Sequence, residues 1–286
     1  MKILVTGGAG FVGSHLCEEL SKNKENEVSS LDNYFTGSEE NHVENVNYIN
    51  GATSDIRRHV KFKPDIIFHL GEYSRVEQSF EDIEKAWSLN MNAIIEVLQF
   101  ARDSGSKLIY SGSSTKFGDN GLGKDQSPYA WMKSSNSQLV KNFGEWFGLK
   151  YAITYFYNVY GGREIKEGQY ATLIGLYEKK MKEGLVLGVV KPGNQRRNFT
   201  HIEDIVSALI LIGEKGEGDG YGIGSNESFS VKEIAQFFGG SIEYLDERRG
   251  NRMAADVHTE KIIDLGWKAN HSIKDYIANK KRNGWM

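Results

Sequence analysis

The stretch KILVTGGAGFVGS, residues 2–14, predicts a strand, a tight turn and a helix in that order. Its first part, Ile3 to Val5, is a short apolar run of the kind found in buried strands. After the glycines, apolar side chains recur at helical spacing, at Phe11, Val12, Leu16 and Leu20. A strand that passes through a glycine turn directly into a helix is typical of an α/β fold.

The turn carries three glycines, Gly7, Gly10 and Gly13, spaced three residues apart. One permits a positive φ, one lets backbone approach a pyrophosphate, and one lets the helix pack close to the strand. The free N–H groups that open the helix, at Phe11 and Val12, would then face the phosphates. The pattern predicts a dinucleotide site.

An acidic residue stands where such a site needs one. A second strand pattern covers residues 28–31, and Asp32 follows it, roughly 20 residues past the glycines, where a carboxylate accepts hydrogen bonds from ribose hydroxyls. Asn33 and Tyr34 beside it supply no arginine for a 2′-phosphate. We therefore expect NAD as the cofactor.

The composition excludes several classes of protein. The 286 residues carry a net charge of −3 with 39% hydrophobic residues, so no basic surplus indicates nucleic acid. No apolar run approaches the ~20 residues of a membrane span, and the N-terminus enters a strand without a signal peptide. The single cysteine, Cys17, is expected to pack in the first helix, and the seven histidines show no metal-ligand spacing. We expect a cytoplasmic protein with no metal, nucleic-acid or membrane partner.

Strand and helix patterns alternate along most of the chain. Strand patterns cover 47–50, 65–70, 107–110, 151–157 and 186–190, helix patterns cover 81–104, 129–147 and 170–181, and 213–220 resembles a turn-rich connector. The alternation predicts a Rossmann-type doubly wound parallel sheet with a smaller mixed α/β C-terminal substrate lobe. We expect residues 1–158 to form the NAD-binding domain, with 195–223 returning to it, and residues 159–194 and 224–286 to form the substrate-binding lobe.

Ligands of such sheets lie beyond the carboxyl ends of the strands. Leu70 and Gly71 end one strand pattern, residues 111–115 end the next, and Asn158 follows a third. Asp55 and Ile56 stand where a carboxylate could meet the adenine amino group, although Asp55 could equally cap a helix.

Two side chains in the 129–147 helix suggest proton chemistry. Tyr129 and Lys133 are four residues apart and therefore share one helix face. An ammonium beside a phenol favours the phenolate, which makes Tyr129 a candidate general base for a substrate hydroxyl. Ser113, at the end of a neighbouring strand, could hold the same substrate oxygen.

These segments together resemble a known family, the extended short-chain dehydrogenase/reductases, in particular the nucleotide-sugar epimerase and dehydratase group that includes UDP-glucose 4-epimerases. The matching segments are TGGAGFVGS (6–14), LDN (31–33), SDI (54–56), HLG (69–71), SGSSTKFG (111–118), YAWMK (129–133), YNVYG (157–161) and LGW (265–267). The resemblance implies tightly held NAD, a UDP- or GDP-linked sugar as substrate, and a homodimer. It also implies Ser113, Tyr129 and Lys133 as the catalytic set, with Asn158, Arg197 and Arg248 holding the substrate.

Within that family the reaction depends on the residues after Ser113. The family's 4,6-dehydratases carry an Asp-Glu pair and its decarboxylases a glutamate where this chain has Ser114 and Thr115. Serine and threonine there resemble the 4-epimerases, as does GQYA at 168–171. The resemblance implies that Tyr129 takes the sugar 4-OH proton, hydride passes to NAD, and the keto sugar turns over before hydride returns.

The chain also departs from the family pattern. Glu72 and Tyr73 follow HLG where small or amide residues are usual, and Lys116-Phe117 replaces a small residue and a tyrosine. We expect Glu72 and Tyr73 to face the sugar. A net 4-dehydrogenase or 4-keto reductase is the alternative reaction, and a dehydratase, a decarboxylase or a catalytically silent NAD-binding protein are further alternatives.

Overall fold

The structure, a computed structural model, describes residues 1–250, 253–254 and 256–285. Its strands are β1 (Lys2–Thr6), β2 (Glu27–Asp32), β3 (Val46–Asn50), β4 (Ile66–His69), β5 (Lys107–Ser113), β6 (Tyr151–Phe156), β7 (Val159–Tyr160), β8 (Leu187–Val190), β9 (Arg196–Asn198), β10 (Thr200–His201), β11 (Gly218–Ile223), β12 (Ser228–Ser230) and β13 (Ile242–Leu245). Its α-helices are α1 (Phe11–Ser21), α2 (Ile56–His59), α3 (Ile83–Trp87), α4 (Ala93–Ser104), α5 (Pro128–Phe147), α6 (Leu173–Lys182), α7 (Ile202–Lys215), α8 (Val231–Phe238), α9 (Glu260–Asp264) and α10 (Ile273–Arg282).

The central sheet has seven strands in the order β3-β2-β1-β4-β5-β6-β11. Every neighbouring pair in it is parallel. The strand order reverses between β1 and β4, which is where a doubly wound sheet opens a crevice for its ligand. The predicted Rossmann-type fold is confirmed.

Alternate residues of β1 reach the two faces of this sheet. Ile3 and Val5 pack with α1 and α7 on one face, and Leu4 packs with α4 and α5 on the other. All three are 0% exposed, and each contributes about 1.5–3 kcal/mol by burial. Both faces are therefore covered, as a parallel sheet requires.

The C-terminal part of the chain contains a further apolar core. It is formed by buried side chains from β8, α6, α8 and α10, including Leu187, Tyr177, Phe238 and Ile277. Two small sheets accompany it, β8 paired with β13 and β9 paired with β12. The domain boundaries given above stay a prediction.

Two segments differ from the sequence expectation. The supposed connector 213–220 contains the end of α7 and the start of β11, whose backbone pairs with β6 despite its glycines. The 81–104 helix begins at Ile83 and contains a π-helical turn, Ser88–Asn92. Asn90 of that turn is buried, and its amide bonds the backbone N–H and C=O of Tyr73.

Among the described residues, none of the helices combines the length and the apolar character needed to cross a membrane.

Candidate active site

A cavity of about 600 Å³ opens at the carboxyl ends of β1, β2, β4 and β5. It brings together most of the predicted site residues, namely Gly7, Gly10, Phe11, Val12, Gly13, Asp32, Asn33, Leu70, Gly71, Glu72, Ser113, Ser114, Thr115, Tyr129, Lys133, Asn158, Arg197 and Arg248. Asp55, Ile56 and Tyr73 do not line it. Asp55 is exposed without a side-chain cap to α2, and Ile56 packs in the core beside α4.

The glycine turn fits a dinucleotide closely. Gly7 has φ +75°, and a Cβ there would lie 2.9 Å from the backbone of Gly71. A Cβ at Gly13 would lie 2.1 Å from the carbonyl oxygen of Gly7, so only glycine lets α1 start this close to β1. Gly10 precedes α1 and gives it no side-chain cap. The opening N–H groups of α1 are thus available to a pyrophosphate.

Asp32 ends β2 beside this turn. Its carboxylate accepts the N–H of Ala9 at 2.9 Å and the N–H of Tyr34 at 2.8 Å. These bonds fix the carboxylate at the cavity wall, where a carboxylate can accept from ribose hydroxyls.

Helix α5 carries the candidate catalytic pair. Ser127 caps it by accepting the N–H of Ala130 at 3.1 Å, and Pro128 opens its first turn. Tyr129 and Lys133 lie on its buried face, with Tyr129 8% and Lys133 4% exposed. Lys133 donates to the carbonyl oxygen of Ser111 at 2.6 Å, which ties α5 to the end of β5.

Ser113 is the last residue of β5. Its hydroxyl oxygen accepts the Thr115 hydroxyl at 2.9 Å and the Thr115 N–H at 3.3 Å, and so caps the short 3-10 helix Ser114–Phe117. Ser113, Ser114 and Thr115 therefore form one polar, uncharged wall of the cavity beside Tyr129 and Lys133.

The structure separates the unusual Glu72-Tyr73 pair, since Glu72 lines the cavity and Tyr73 does not. The Glu72 side chain is 1% exposed and forms an ion pair with Lys133. Burial alone would raise the pKa of Glu72, but the charge of Lys133 and the contact with His69 outweigh it and lower this pKa to about 2. Tyr73 is 1% exposed and donates its hydroxyl to Asp82 at 3.1 Å. Tyr73 packs against Phe35 and Tyr170 and so does not face the cavity, whereas a contact of Glu72 with the sugar stays a prediction.

The proposed substrate-holding residues come from three segments. Asn158 has φ +35° and donates its amide to the carbonyl oxygen of Asn198 at 3.1 Å. Arg197 donates to the carbonyl oxygen of Arg196 at 2.8 Å, and Arg248 forms a half-exposed ion pair with Glu77 at 2.8 Å. All three residues line the cavity, and their contacts with substrate stay a prediction.

Sequence reasoning missed several cavity residues. Arg75 donates twice to the carbonyl oxygen of Tyr170, Gln195 is 1% exposed, and Glu164 accepts the N–H of Gly161 at 3.0 Å. Arg75 could have been found, because it follows the strand β4 that ends at the crevice. No local pattern marks Gln195 or Glu164.

The sequence also predicted no metal site, whereas the fold brings the distant His271 beside His201 and Glu203. Ligand atoms of His201, Glu203 and His271 lie within 4.8 Å of one another. Each has a protein partner, since His201 caps α7 and His271 pairs with Glu203 and Asp204. An ion pair and a helix cap account for this cluster.

Comparisons with known proteins agree with this geometry. The model of the NAD dependent epimerase/dehydratase family matches residues 3–224. A putative UDP-glucose 4-epimerase of Methanocaldococcus jannaschii is 29% identical, covering 99% of this chain and 98% of the relative. UDP-glucuronic acid decarboxylase 3 of Arabidopsis thaliana is 30% identical, covering 82% of this chain and 73% of the relative. The crystal structure of a Thermotoga maritima UDP-glucose 4-epimerase with UDP-glucose has a TM-score of 0.90, 24% identity and full coverage of both chains.

Proposed function

Because the chain belongs to the NAD dependent epimerase/dehydratase family, we propose that it is a nucleotide-sugar 4-epimerase acting by transient oxidation at sugar C4. Its cofactor is NAD. We propose a UDP- or GDP-linked sugar as the substrate, Ser113, Tyr129 and Lys133 as the catalytic residues, and a homodimer as the working form.

The observation that carries the choice of reaction is the uncharged wall after β5. Dehydration needs an acid to protonate the departing hydroxyl, and Ser114 and Thr115 are neutral groups in that position. The relatives include both an epimerase and a decarboxylase, so this wall distinguishes the alternatives better than overall similarity does.

The cavity's acidic side chains are occupied elsewhere. Among the described residues of its wall these are Asp32, Glu72, Glu77 and Glu164. They accept from Ala9, Lys133, Arg248 and Gly161, respectively. Glu72 in particular is held ionised by Lys133 and has no proton to give. Glu164 differs from Glu72, because burial raises its pKa to about 7, although both of its oxygens already accept hydrogen bonds from Gly161 and Thr172. The preference for epimerisation over elimination therefore depends on the uncharged wall after β5.

Bound NAD supplies reversible hydride acceptance at the sugar carbon. In the proposed steps, this chain's own residues act on one oxygen and one proton, those of the sugar 4-hydroxyl. Tyr129 takes the proton of the sugar 4-hydroxyl, and the Ser113 hydroxyl donates a hydrogen bond to the same oxygen. Lys133, which lines the cavity from the same face of α5, would contact the nicotinamide ribose. The keto sugar then turns over in the cavity and presents its other face. Tyr129 returns the proton to the oxygen at C4.

A panel of UDP- and GDP-linked sugars tests the proposal. Each is incubated with purified protein, without added NAD, and followed by proton NMR and by nicotinamide absorbance. We expect one pair of 4-epimers to interconvert from either side without accumulation of NADH. Formation of NADH in step with a 4-keto product would instead identify a 4-dehydrogenase.

A further inference from the structure

The structure places an acidic residue directly behind the candidate catalytic lysine. We propose that Glu72 is a positioning residue that holds the Lys133 ammonium charged and fixes its direction at the cavity wall. This inference rests on the proposed role of Lys133 in catalysis. Glu72 itself acts through Lys133, since its own side chain is 1% exposed.

The carboxylate of Glu72 is held by side chains of two elements, α5 and β5. Its carboxylate accepts from Lys133 and Asn136 of α5 and from the Tyr110 hydroxyl of β5, at 3.1 Å for Asn136 and 3.0 Å for Tyr110. It follows Gly71, whose N–H donates to Thr6 at the end of β1. The carboxylate is thus a fixed point where β1, β4, β5 and α5 meet.

A fixed carboxylate orients the lysine. An ammonium has three N–H bonds, and Lys133 gives one to Glu72 and one to the carbonyl oxygen of Ser111. One N–H bond remains for a ligand in the cavity that Lys133 lines. Two fixed acceptors determine where that bond points.

The same carboxylate keeps the lysine charged. The Lys133 side chain is only 5% exposed, and burial disfavours an ammonium that lacks a counter-charge. The other titratable groups facing the pair are His69 of β4, Tyr110 of β5 and Tyr129 of α5. Burial, followed by the charge of Glu72, raises the pKa of Tyr110 well above its ordinary value, so Tyr110 is a neutral donor. Glu72 is therefore the anion that compensates Lys133.

The direct test is to titrate Lys133 in the holoenzyme. Protein labelled with 13C at lysine Cε is followed by NMR against pH, and the Lys133 signal is assigned by its loss in Lys133→Met. In Glu72→Gln we expect the midpoint of this titration to fall by about one pH unit or more. The matched control is Glu178→Gln, which neutralises a buried glutamate paired with Lys166 outside the cavity. The control should leave the Lys133 midpoint unchanged.

An unchanged Lys133 midpoint in folded Glu72→Gln would overturn the inference. If Glu72→Gln is too unstable to titrate, the melting temperatures of the holoenzyme variants test the inference instead. The double variant Glu72→Gln/Lys133→Met should melt above each single variant, because it removes both charges together, and a double variant no more stable than either would also overturn it.

These readouts are separate from the proposed reaction. Failure of every nucleotide sugar to epimerise would refute the 4-epimerase and leave the titration result standing. If the protein is a 4-epimerase, adding Glu72→Gln to Lys133→Met should change turnover no further, because Glu72 acts through Lys133. A further loss of turnover in the double variant would contradict that route.

Discussion

The Asp32 carboxylate accepts the backbone N–H of Ala9 at 2.9 Å, which joins the end of β2 to the glycine turn after β1. The same carboxylate accepts the N–H of Tyr34, whose φ is +57°. One acidic side chain thus shapes the turn and places negative charge at the cofactor end of the cavity.

This placement predicts the cofactor preference. A 2′-phosphate beside Asp32 would meet like charge, and the neighbouring Asn33 offers no cation. We expect NAD to bind at least about tenfold more tightly than NADP, about 1.4 kcal/mol, measured by calorimetry. In Asp32→Asn, which keeps the shape of the side chain, the preference should shrink. Equal affinity of the wild type for the two cofactors would count against this assignment.

The proposed general base predicts a large loss of turnover with little loss of binding. Tyr129→Phe should lower turnover by roughly 10²–10⁴-fold, the usual contribution of one general acid–base, while NAD and sugar still bind. Lys133→Met should be at least as damaging. Tyr151→Phe is the matched control, because Tyr151 does not line the cavity, and should turn over normally. A fully active Tyr129→Phe variant would refute the catalytic role.

Glu164 predicts a dependence of stability on pH. Burial raises its pKa from 4.5 to about 7, against the lowering effect of hydrogen bonds from Thr172 and Gly161. The folded state therefore binds this proton more tightly than the unfolded chain does. The stabilisation by protonated Glu164 is complete below pH 4.5. As pH rises through about 7, the free energy of unfolding falls by about 3 kcal/mol.

In Glu164→Gln this loss should disappear, so that the variant's melting temperature falls less than that of the wild type between about pH 4.5 and pH 7. Thermal melts followed by circular dichroism across this range measure the difference. Parallel curves for the two proteins would show that Glu164 is not the group responsible.

Two exposed tryptophans predict the assembly. Trp87 of α3 and Trp131 of α5 stack with ring centroids 6.0 Å apart, and each is 44% exposed. Such a surface favours a two-fold interface, so we expect a homodimer by light scattering at micromolar concentration. Trp87→Lys/Trp131→Lys should give a monomer, whereas Tyr244→Lys, at an exposed position on β13, should not. A wild-type monomer would contradict the prediction.

The fold followed from sequence because its signals are local. The apolar run of β1, the glycine spacing and each strand-to-helix step are signals carried by residues close together in the chain. Strand β11 was missed because its glycines carry no strand pattern, and its pairing with β6 comes from backbone hydrogen bonds. The π-helical turn around Asn90 was missed because its Asn90 side chain hydrogen-bonds the backbone of Tyr73, which is distant in the sequence.

The gathering of most site residues in one cavity could be predicted for the same reason, and their roles stay a prediction. Ser113 follows an apolar strand pattern, and Tyr129 and Lys133 are spaced to share one helix face. Both signals are visible in the sequence. The position of Glu72 behind Lys133 depends on a contact between residues 61 apart in the chain. Its ion pair with Lys133 could not be predicted from its neighbours in the sequence.

In the proposed reaction, hydrogen leaves a sugar carbon and returns to the same carbon. A nucleotide sugar that the protein converts, prepared with deuterium at C4, tests this most directly by NMR and mass spectrometry of product and cofactor. A 4-epimerase should return the deuterium to C4 of the inverted sugar, with none in solvent and none accumulating in free NADH. Deuterium found at C6 would identify a 4,6-dehydratase, and deuterium released in the reduced cofactor would identify a dehydrogenase. Either result would contradict the proposed 4-epimerase reaction.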